Sequence, residues 1–351
     1  MDDNNVWQLL DSSGIGGIET HVTLLTQALR QGGVNAEIVL LCDHGPHPLA
    51  ASWRQADIPV RILKNGIFGL RQAVRSECPD IIHTHGYKAG ILGRLAGRAE
   101  RIPVISTYHA GEPGTGRMRI YNKLDAEISC GATRIAVSEE IAGRIGGDVH
   151  VVPNFVSVPD TPFCGGNTVA FVGRLSHEKG PDLFVEIAKS LPEIPFEVFG
   201  DGPLRTEIEA LAGDRVRFRG NVASMASYWR NIGLLCISSR HEGLPMVALE
   251  AMANGVPVAC FGVGALPDVI EDGSAGYVVT PGDTVKLAGA IAMWSASSTP
   301  ARAQMIFRAH RKVQDTYATD AIVPRILDIY GSCRKLSSRV LADLQRSPVA
   351  G

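Results

Sequence analysis

Short apolar runs alternate with amphipathic helical patterns along most of the chain. Runs such as VWQLL, AEIVLL and PDIIHTH have the length and apolar content of buried strands. Between the first two, Val22, Leu25 and Leu29 recur at helical spacing, and Gly32 with Gly33 mark a helix end. Alternating strands and helices predict an α/β fold with doubly wound parallel sheets.

The alternation is interrupted by a stretch rich in proline and glycine. It then restarts with further strand-like runs, from TVAFVG to AGYVV, separated by helical patterns that include MASYWRNI. We therefore predict two domains, a linker, and a C-terminal helix and tail that cross back to the first domain; the ranges are 1–157, 158–167 (linker), 168–320 and 321–351. Ligands of open α/β sheets bind beyond the carboxyl ends of strands, so a cleft between the two domains is the expected site.

Composition argues against several classes of protein. The 351 residues carry a net charge of -2, which argues against a nucleic-acid binder. The seven cysteines are scattered without a C-x-x-C pair, as in reduced cytosolic proteins. The acidic N-terminus does not resemble a signal peptide, and no apolar run approaches the roughly 18 residues of a membrane-spanning helix. We expect a cytoplasmic protein.

A glycine-rich turn follows the first predicted strand, in DSSGIGGIETH. Gly14, Gly16 and Gly17 allow a tight bend into a helix whose first amide groups face an anion. A dinucleotide-binding loop would have Gly or Ala where Glu19 stands, although Asp43 after the second strand is acidic, as that fold requires. A loop that faces a phosphate or substrate is favoured over a purely structural turn and over NAD binding.

Three histidines lie at the ends of successive predicted strands. His83 and His85 alternate on one strand and share a face, which is the arrangement of a metal pair. No acidic residue accompanies them at ligand spacing, so we predict no metal and assign both to core or turn-capping roles. His109 ends the next strand at its carboxyl edge and is better placed to meet a substrate.

The first strand-to-helix turn of the second domain, FVGRLSHEKG, carries two cations. Gly173 ends the strand, Arg174 supplies a planar fork of donors, and Lys179 adds a point charge. This turn binds phosphates in such sheets, so a diphosphate site is favoured over a solvated loop.

Two glutamates eight positions apart flank a predicted helix start in RHEGLPMVALEAMANGVPV. Pro245 fits the first helical turn, and the amides of residues 244–247 would form an anion cradle. Eight residues separate Glu242 and Glu250 by about two turns, which rules out a close acid–base pair on one helix face. Two hydroxyl acceptors at different depths fit better. The alternative is that Glu242 complements the helix dipole and Glu250 is solvated.

Together these motifs resemble retaining nucleotide-sugar glycosyltransferases of family 4. The similar stretches are GGIETH, TYH, FVGRLSHEKG, FGDGPLR, VRFRGNV, EGLPMVALEAMANGVPV and EDGSAGYVV, and the similarity is strongest from Val169 to Val279. The resemblance implies the GT-B arrangement, in which two doubly wound Rossmann-like domains face each other across a cleft.

The resemblance also implies roles for individual residues. Arg174 and Lys179 would clamp the donor diphosphate, and Glu242 and His109 would contact the transferred sugar; these four are the expected catalytic residues. Glu250 would hold the ribose. The other donor-binding residues would be Gly16, Gly17, Gly173, Gly202, Pro203, Asn221, Val222, Gly243, Leu244, Pro245, Met246 and Val247.

The implied reaction is transfer with retention from a UDP- or GDP-sugar to a glycan or lipid-linked acceptor, in cell-surface polysaccharide or lipopolysaccharide synthesis. It requires no metal and no cofactor, in agreement with the lack of an evident D-x-D triplet. A phosphate oxygen would take the acceptor's proton, and Glu242 as covalent nucleophile is the lesser option. The alternatives are a nucleotide-sugar epimerase, a sugar phosphorylase, or a non-catalytic nucleotide-binding module.

The acceptor side carries fewer motifs. The chain has Phe155 where the family usually has glycine after the asparagine of PNF. The basic loop 110–123 and the segment 61–101, with eight Lys or Arg against three Asp or Glu, suit a charged acceptor or an anionic membrane face. A solvated helix surface is the simpler alternative. The sequence does not indicate an oligomeric state.

Overall fold

The computed structural model describes residues 5–109, 132–162, 165–222 and 224–333. These residues divide into two compact units. The first comprises the described residues up to Phe155 together with those from Thr319 onward, and the second comprises Val156–Ala318. Each unit contains a parallel sheet flanked by helices, as the alternating pattern predicts.

The first unit has a seven-stranded parallel sheet within the described residues. Its strands are β1 (Asn5–Leu10), β2 (Asn35–Leu40), β3 (Val60–Ile62), β4 (Ile81–His85), β5 (Val104–Tyr108), β6 (Thr133–Ala136) and β7 (His150–Val151). Their spatial order is β3-β2-β1-β4-β5-β6-β7, so strand order reverses between β1 and β4. The described helices between them are α1 (Gly17–Gln31), α2 (Ala50–Gln55), α3 (Gly66–Glu77), α4 (Tyr87–Glu100) and α5 (Glu139–Ile145).

The second unit repeats this topology with six strands in its described part. They are β8 (Thr168–Val172), β9 (Phe196–Phe199), β10 (Arg217–Gly220), β11 (Ile232–Ile237), β12 (Val258–Phe261) and β13 (Gly276–Val279), in the spatial order β10-β9-β8-β11-β12-β13. The helices are α6 (Pro181–Ser190), α7 (Arg205–Ala212), α8 (Met246–Ala253), α9 (Leu266–Ile270), α10 (Thr284–Ala296) and α11 (Thr299–Thr316). Both spatial orders are those of doubly wound nucleotide-binding folds, which confirms the predicted fold class.

The last described helix, α12 (Thr319–Cys333), belongs to the first unit. Ile322, Ile326 and Tyr330 are buried against the first unit's core, together with residues of α1 and β1. Arg325 donates a hydrogen bond of 2.8 Å to the carbonyl of Val151 in β7. The C-terminal part of the chain therefore supplies core side chains to the sheet that the N-terminal part begins.

The central strands are mostly buried, as is typical of parallel sheets that helices cover on both faces. Every residue of β11 is buried, and all of them except its single glycine have apolar side chains. Every residue of β4 is buried too, although three of its five residues, His83, Thr84 and His85, are polar. Buried polar groups require hydrogen-bond partners, so β4 is set apart from the other central strands.

Two local predictions from the sequence are wrong. The short strand β3, with the sequence VRI, is absent from the predicted strands because only three residues pair there, too few for a periodicity. The run MASYWRNI forms a turn followed by a short 3₁₀ helix at Trp229–Asn231 instead of an α-helix. Within the described residues, no helix combines the length and hydrophobicity that crossing a membrane requires.

Candidate active site

Each sheet carries candidate site residues at the carboxyl ends of the strands where strand order reverses. In the second unit, Gly173 follows β8 and Glu242 lies shortly after the neighbouring strand β11. In the first unit, the glycine loop follows β1, and His85 ends the neighbouring strand β4. Open parallel sheets bind ligands at this position because the loops diverge there.

Lys179 and Glu242 form an ion pair in the second unit. Lys179 Nζ lies 2.8 Å from each carboxylate oxygen of Glu242, and Ser239 Oγ donates a further bond of 2.6 Å to Oε1. The Glu242 side chain is only 7% exposed, so these partners, not water, supply most of its hydrogen bonds. The sequence predicts both residues as ligands of different parts of a donor. The structure adds that they are bonded to each other.

A second set of contacts fixes the turn that carries Lys179. Ser238 Oγ donates to the carbonyl of Gly180 at 2.8 Å, and the Arg240 amide donates to the carbonyl of Glu178 at 2.8 Å. The Arg240 side chain also pairs with Asp182 at the start of α6, at 2.6 Å. These bonds join the turn after β8 to the turn after β11. Ser238, Arg240 and Asp182 could not be predicted as site residues from the sequence, because the bonds link residues about sixty positions apart without a local pattern.

Replacing Gly180 with alanine is expected to lower the free energy of unfolding by about 3 kcal/mol. Gly180 has a φ of 62°, and a Cβ at this position would overlap the carbonyl oxygen of Ser238. Gly33 is a matched control, because it follows α1 with a φ of 81° in a left-handed cap, where the Val34 amide donates to the carbonyl of Leu29, but its Cβ would meet no atom within 4 Å. Gly33→Ala should cost only about 1 kcal/mol in denaturant unfolding. Equal losses in the two variants would show that the close approach to Ser238 has no energetic weight.

The predicted anion cradle lies at the start of α8. The helix begins at Met246, so Pro245 immediately precedes the first helical residue and does not lie within it. Among the described residues, the amides of Met246 and Val247 have no hydrogen-bond acceptor. The preceding loop is held in place because the Ala265 amide donates to the carbonyl of Gly243 at 2.9 Å. This leaves two aligned donors for an anion at the positive end of the helix dipole.

Glu250 lies on α8 in a poorly hydrated environment. Burial raises the pKa of its carboxyl group to about 7. Among the described residues, no side-chain donor reaches the carboxylate, and Asn254 bonds only to the backbone carbonyl of Glu250. A half-buried carboxylate without a partner is costly unless a ligand supplies donors. Glu250 is therefore not the solvated residue of the alternative prediction.

Glu250→Gln is expected to stabilise the unliganded protein above pH 7. The folded-state pKa of about 7 lies above the ordinary value of 4.5, so the folded form loses stability as pH rises through this interval. Each pKa unit corresponds to about 1.4 kcal/mol, so the variant should gain about 3 kcal/mol at pH 8 and only about 1 kcal/mol at pH 5. Denaturant unfolding at the two pH values measures the gain. A gain that does not change with pH would contradict the raised pKa.

The other predicted donor residues of the second unit lie on neighbouring turns after β8, β9 and β10. Arg174 is exposed beside Glu178. Burial raises the pKa of Glu178, but the Ser176 hydroxyl and the charges of Arg174 and Lys179 hold it below its ordinary value. The Gly202 amide donates a hydrogen bond of 2.7 Å to Asp201 Oδ1. The other predicted donor-binding residues of these turns are exposed or half-buried: Gly173, Pro203, Asn221 and Val222. All these positions lie at the same edge of the sheet.

The glycine loop of the first unit leads directly into α1. Gly16 precedes the helix in an extended conformation, Gly17 is its first residue, and both are exposed. No side chain caps this helix start, so its amides are open to an anion. Glu19 lies in the first turn, where its negative charge would repel a bound phosphate.

Four histidines of the first unit cluster at the carboxyl end of β4. His85 Nδ1 lies 3.0 Å from His109 Nε2, and the rings of His83 and His85 are 4.3 Å apart between centroids. Burial lowers the pKa of His109 to about 4 and that of His83 to about 3, and it also lowers the pKa of His21 and His85. Burial therefore favours the neutral form of all four rings at pH 7 in the unliganded protein.

His21 on α1 was missed as a site residue, although it stands in GGIETH. Its ring packs edge-on against His109 at 4.7 Å and against Phe155 at 5.0 Å between centroids. Ligand atoms of His21, His85 and His109 lie within 4.8 Å of one another, a spacing compatible with a transition metal. In the arrangement described, His85 and His109 share a hydrogen bond instead. Phe155 is fully buried and covers His21, which explains a large side chain at this position.

Known proteins resemble the chain along most of its length. Residues 166–296 match the sequence profile described as "Glycosyl transferases group 1", and residues 15–158 match "Glycosyltransferase Family 4". A D-inositol 3-phosphate glycosyltransferase of Mycobacterium avium is 33% identical over 298 residues, which cover 72% of this chain and 69% of that protein. A phosphatidyl-myo-inositol mannosyltransferase of Mycobacterium leprae is 26% identical over 317 residues, 79% of this chain and 83% of that protein.

Solved structures agree with the architecture. HepE of Anabaena in complex with UDP-glucose superposes with a TM-score of 0.83 at 20% identity, over 93% of this chain and 99% of that chain. The fold is therefore GT-B, built from two Rossmann-like domains. The protein is a glycosyltransferase, and the chain belongs to glycosyltransferase family 4.

Proposed function

We propose that the protein is a retaining, metal-independent glycosyltransferase that uses a UDP- or GDP-sugar. The observation that carries the proposal is the Lys179–Glu242 pair directly before the unpaired amides of α8. A cation, a carboxylate and a helix start in this order provide ligands for a diphosphate and for the sugar attached to it. The complex of HepE with UDP-glucose supports the donor class.

We assign successive parts of the donor to neighbouring residues of the second unit. Glu250 accepts hydrogen bonds from the ribose hydroxyls. These bonds compensate for the burial of its carboxylate. Arg174, Lys179 and the amides of residues 244–247 bind the diphosphate, and Glu242 binds the transferred sugar. The turns that contain Gly202, Pro203, Asn221 and Val222 accommodate the base.

Catalysis depends on stabilising the departing diphosphate. Cleavage at the anomeric carbon leaves negative charge on the phosphate, which Arg174, Lys179 and the α8 amides stabilise without a metal. A phosphate oxygen takes the proton of the acceptor hydroxyl on the same face, so configuration is retained. We also assign Gly16 and Gly17 to binding of the donor phosphates, and His109, as a neutral imidazole, to binding of the sugar.

We assign acceptor binding to the first unit. The related proteins named above act on inositol phosphate and on phosphatidyl-inositol, which supports a hydroxyl-bearing glycan or lipid-linked acceptor in cell-surface synthesis. Phe68 on α3 is 81% exposed beside Arg71 and Arg75, which supports peripheral contact with the anionic inner face of the membrane by a cytoplasmic protein. The basic loop 110–123 lies outside the described residues.

A donor screen tests this function. Purified protein is incubated with UDP-, GDP- and ADP-sugars in the presence of a chelator, with polar and lipid-linked hydroxyl acceptors, and the released nucleoside diphosphate is measured. Acceptor-dependent release of UDP or GDP, undiminished by the chelator, is expected. Release that requires a divalent metal would contradict metal independence. Release of phosphate from a sugar phosphate, with no nucleotide involved, would favour the phosphorylase alternative.

Retention is tested separately on the product. Proton NMR of the new linkage should show the anomeric configuration of the donor. An inverted linkage would exclude transfer on the leaving-group face.

A further inference from the structure

A chain of hydrogen bonds runs from His109 to the last helix through the interior of the first unit. His109 Nε2 lies 3.0 Å from His85 Nδ1, and His85 Nε2 lies 2.8 Å from Gln8 Oε1. Gln8 Nε2 then donates to Tyr330 Oη at 3.1 Å. From Tyr330 the chain continues through His83 to Thr107, with two bonds of 2.7 Å.

The direction of the bonds between Gln8 and His109 follows from the Gln8 amide, whose Nε2 donates to Tyr330. Gln8 Oε1 can only accept, so His85 Nε2 carries a hydrogen. A neutral imidazole has one hydrogen, so His85 Nδ1 is an acceptor and His109 Nε2 must donate to it. Tyr330 accepts from Gln8 and bonds to His83 Nδ1, and His83 Nε2 bonds to Thr107. His109 is therefore the Nε2–H tautomer and Nδ1 is its acceptor nitrogen; the Asn154 side chain also hydrogen-bonds to this ring.

We propose that Gln8, His85 and Tyr330 are positioning residues that hold His109 as its Nε2–H tautomer, so that Nδ1 accepts a hydrogen bond from a hydroxyl of the transferred sugar. The proposal rests on the sugar contact assigned to His109 under the proposed function. It predicts that this contact selects sugars with a hydroxyl donor at the position facing Nδ1.

Burial keeps the chain ordered. Gln8 and His83 are fully buried, His85 is 2% exposed and Tyr330 is 1% exposed, so water does not replace a lost partner. His85 and Gln8 come from neighbouring strands, and Tyr330 comes from α12, which packs in the same core. The low pKa of His109 agrees with this arrangement, because a tautomer is defined only for the neutral ring.

Tyr330→Phe tests the proposal, because it preserves the ring and removes the hydroxyl between Gln8 and His83. Protein labelled with ¹⁵N-histidine reports the protonated nitrogen of each ring by NMR, and His109→Asn assigns the His109 signals. The wild type should show protonation at Nε2. Tyr330→Phe should show a mixture of tautomers, with kcat/KM for transfer about tenfold lower. Its affinity for UDP or GDP should be unchanged within twofold, because the assigned diphosphate ligands lie mainly in the second unit.

Thr84→Val is the matched control. Thr84 lies between His83 and His85 on β4, and its buried hydroxyl bonds to Ser106 and to the carbonyl of Ile105, outside the chain of bonds. This variant should retain the His109 tautomer and the transfer rate. Gln8→Glu, which keeps an acceptor opposite His85 Nε2, should retain the tautomer, whereas Gln8→Met should lose it. If Tyr330→Phe does not fold, the His109 tautomers of the two Gln8 variants test the proposal in its place.

Two results would overturn the proposal. One is an Nδ1–H tautomer of His109 in the wild type. The other is a folded Tyr330→Phe with wild-type His109 signals and wild-type transfer. Because the NMR readout needs no substrate, a failure of the proposed donor or reaction is recognised separately, by the absence of transfer in the wild type.

Discussion

Lys179→Ala is expected to reduce sugar transfer by about 10³-fold, the largest loss from any single replacement considered for this protein. Through its ion pair with Glu242, Lys179 places a positive charge directly before the start of α8. A positioned cation acts on the charge that develops on the departing diphosphate, so kcat should fall more than donor affinity. Steady-state kinetics with the donor found in the screen measure both.

Two further variants test whether the loss of transfer is specific to the charge of Lys179. Lys189 is exposed on α6 and has the same charge, so Lys189→Ala should retain wild-type kinetics. Lys179→Ala leaves the nearly buried Glu242 carboxylate without its cation, and a lower melting temperature is expected. The double variant Lys179→Ala/Glu242→Gln removes this unpaired charge and should recover stability without recovering transfer. Wild-type turnover in Lys179→Ala would refute the diphosphate role.

Glu242→Gln is expected to separate nucleotide binding from transfer. The carboxylate holds Lys179 in the unliganded protein and would repel a diphosphate. Removing its charge frees the lysine, so affinity for UDP or GDP should rise by about tenfold, or about 1.4 kcal/mol. Transfer should fall by about 10²-fold, because the amide is a weaker acceptor for the sugar hydroxyls. Calorimetric titration with the nucleoside diphosphate and kinetics with the full donor give the two values.

Glu207→Gln provides the control for charge. Glu207 is exposed in the first turn of α7 in the same unit, so its replacement alters net charge equally but should change neither affinity nor rate. Weaker diphosphate binding in Glu242→Gln would show that Glu242 orders the site and does not compete for Lys179.

The fold could be predicted because its signals are local. Buried parallel strands appear in the sequence as apolar runs, and β8, β11 and β12 of the second unit lie where such runs occur. β3 was missed because it pairs through only three residues. The α-helix predicted around Trp229 is absent, because its apolar residues lie in a turn and a 3₁₀ segment. Periodicity therefore identified the long elements and was insufficient for the short ones.

The site could be predicted only in part. The carboxyl ends of the central strands could be located from the sequence, and Gly173, His109 and Glu242 follow such ends in β8, β5 and β11. The bonds between these residues could not, because side-chain contact between turns depends on register and rotamer. The Lys179–Glu242 pair, the Arg240–Asp182 bridge and the link from Gln8 to Tyr330 join residues 58 to 322 positions apart.

His83 and His85 show the same limit. The sequence placed both rings on one face of a strand, and the structure agrees, with 4.3 Å between their centroids. It could not indicate which partners they bind, because Tyr330 comes from the far end of the chain. The elevated pKa of Glu250 was equally inaccessible, since it depends on burial that helical spacing alone does not determine.

Thermal unfolding in the presence of UDP, GDP, ADP and NAD tests most directly that the second unit binds a nucleotide-sugar donor. UDP or GDP should raise the melting temperature of the wild type without added metal, and this rise should be much smaller in Lys179→Ala. Stabilisation by NAD alone, with none from any nucleoside diphosphate, would contradict the proposed donor site.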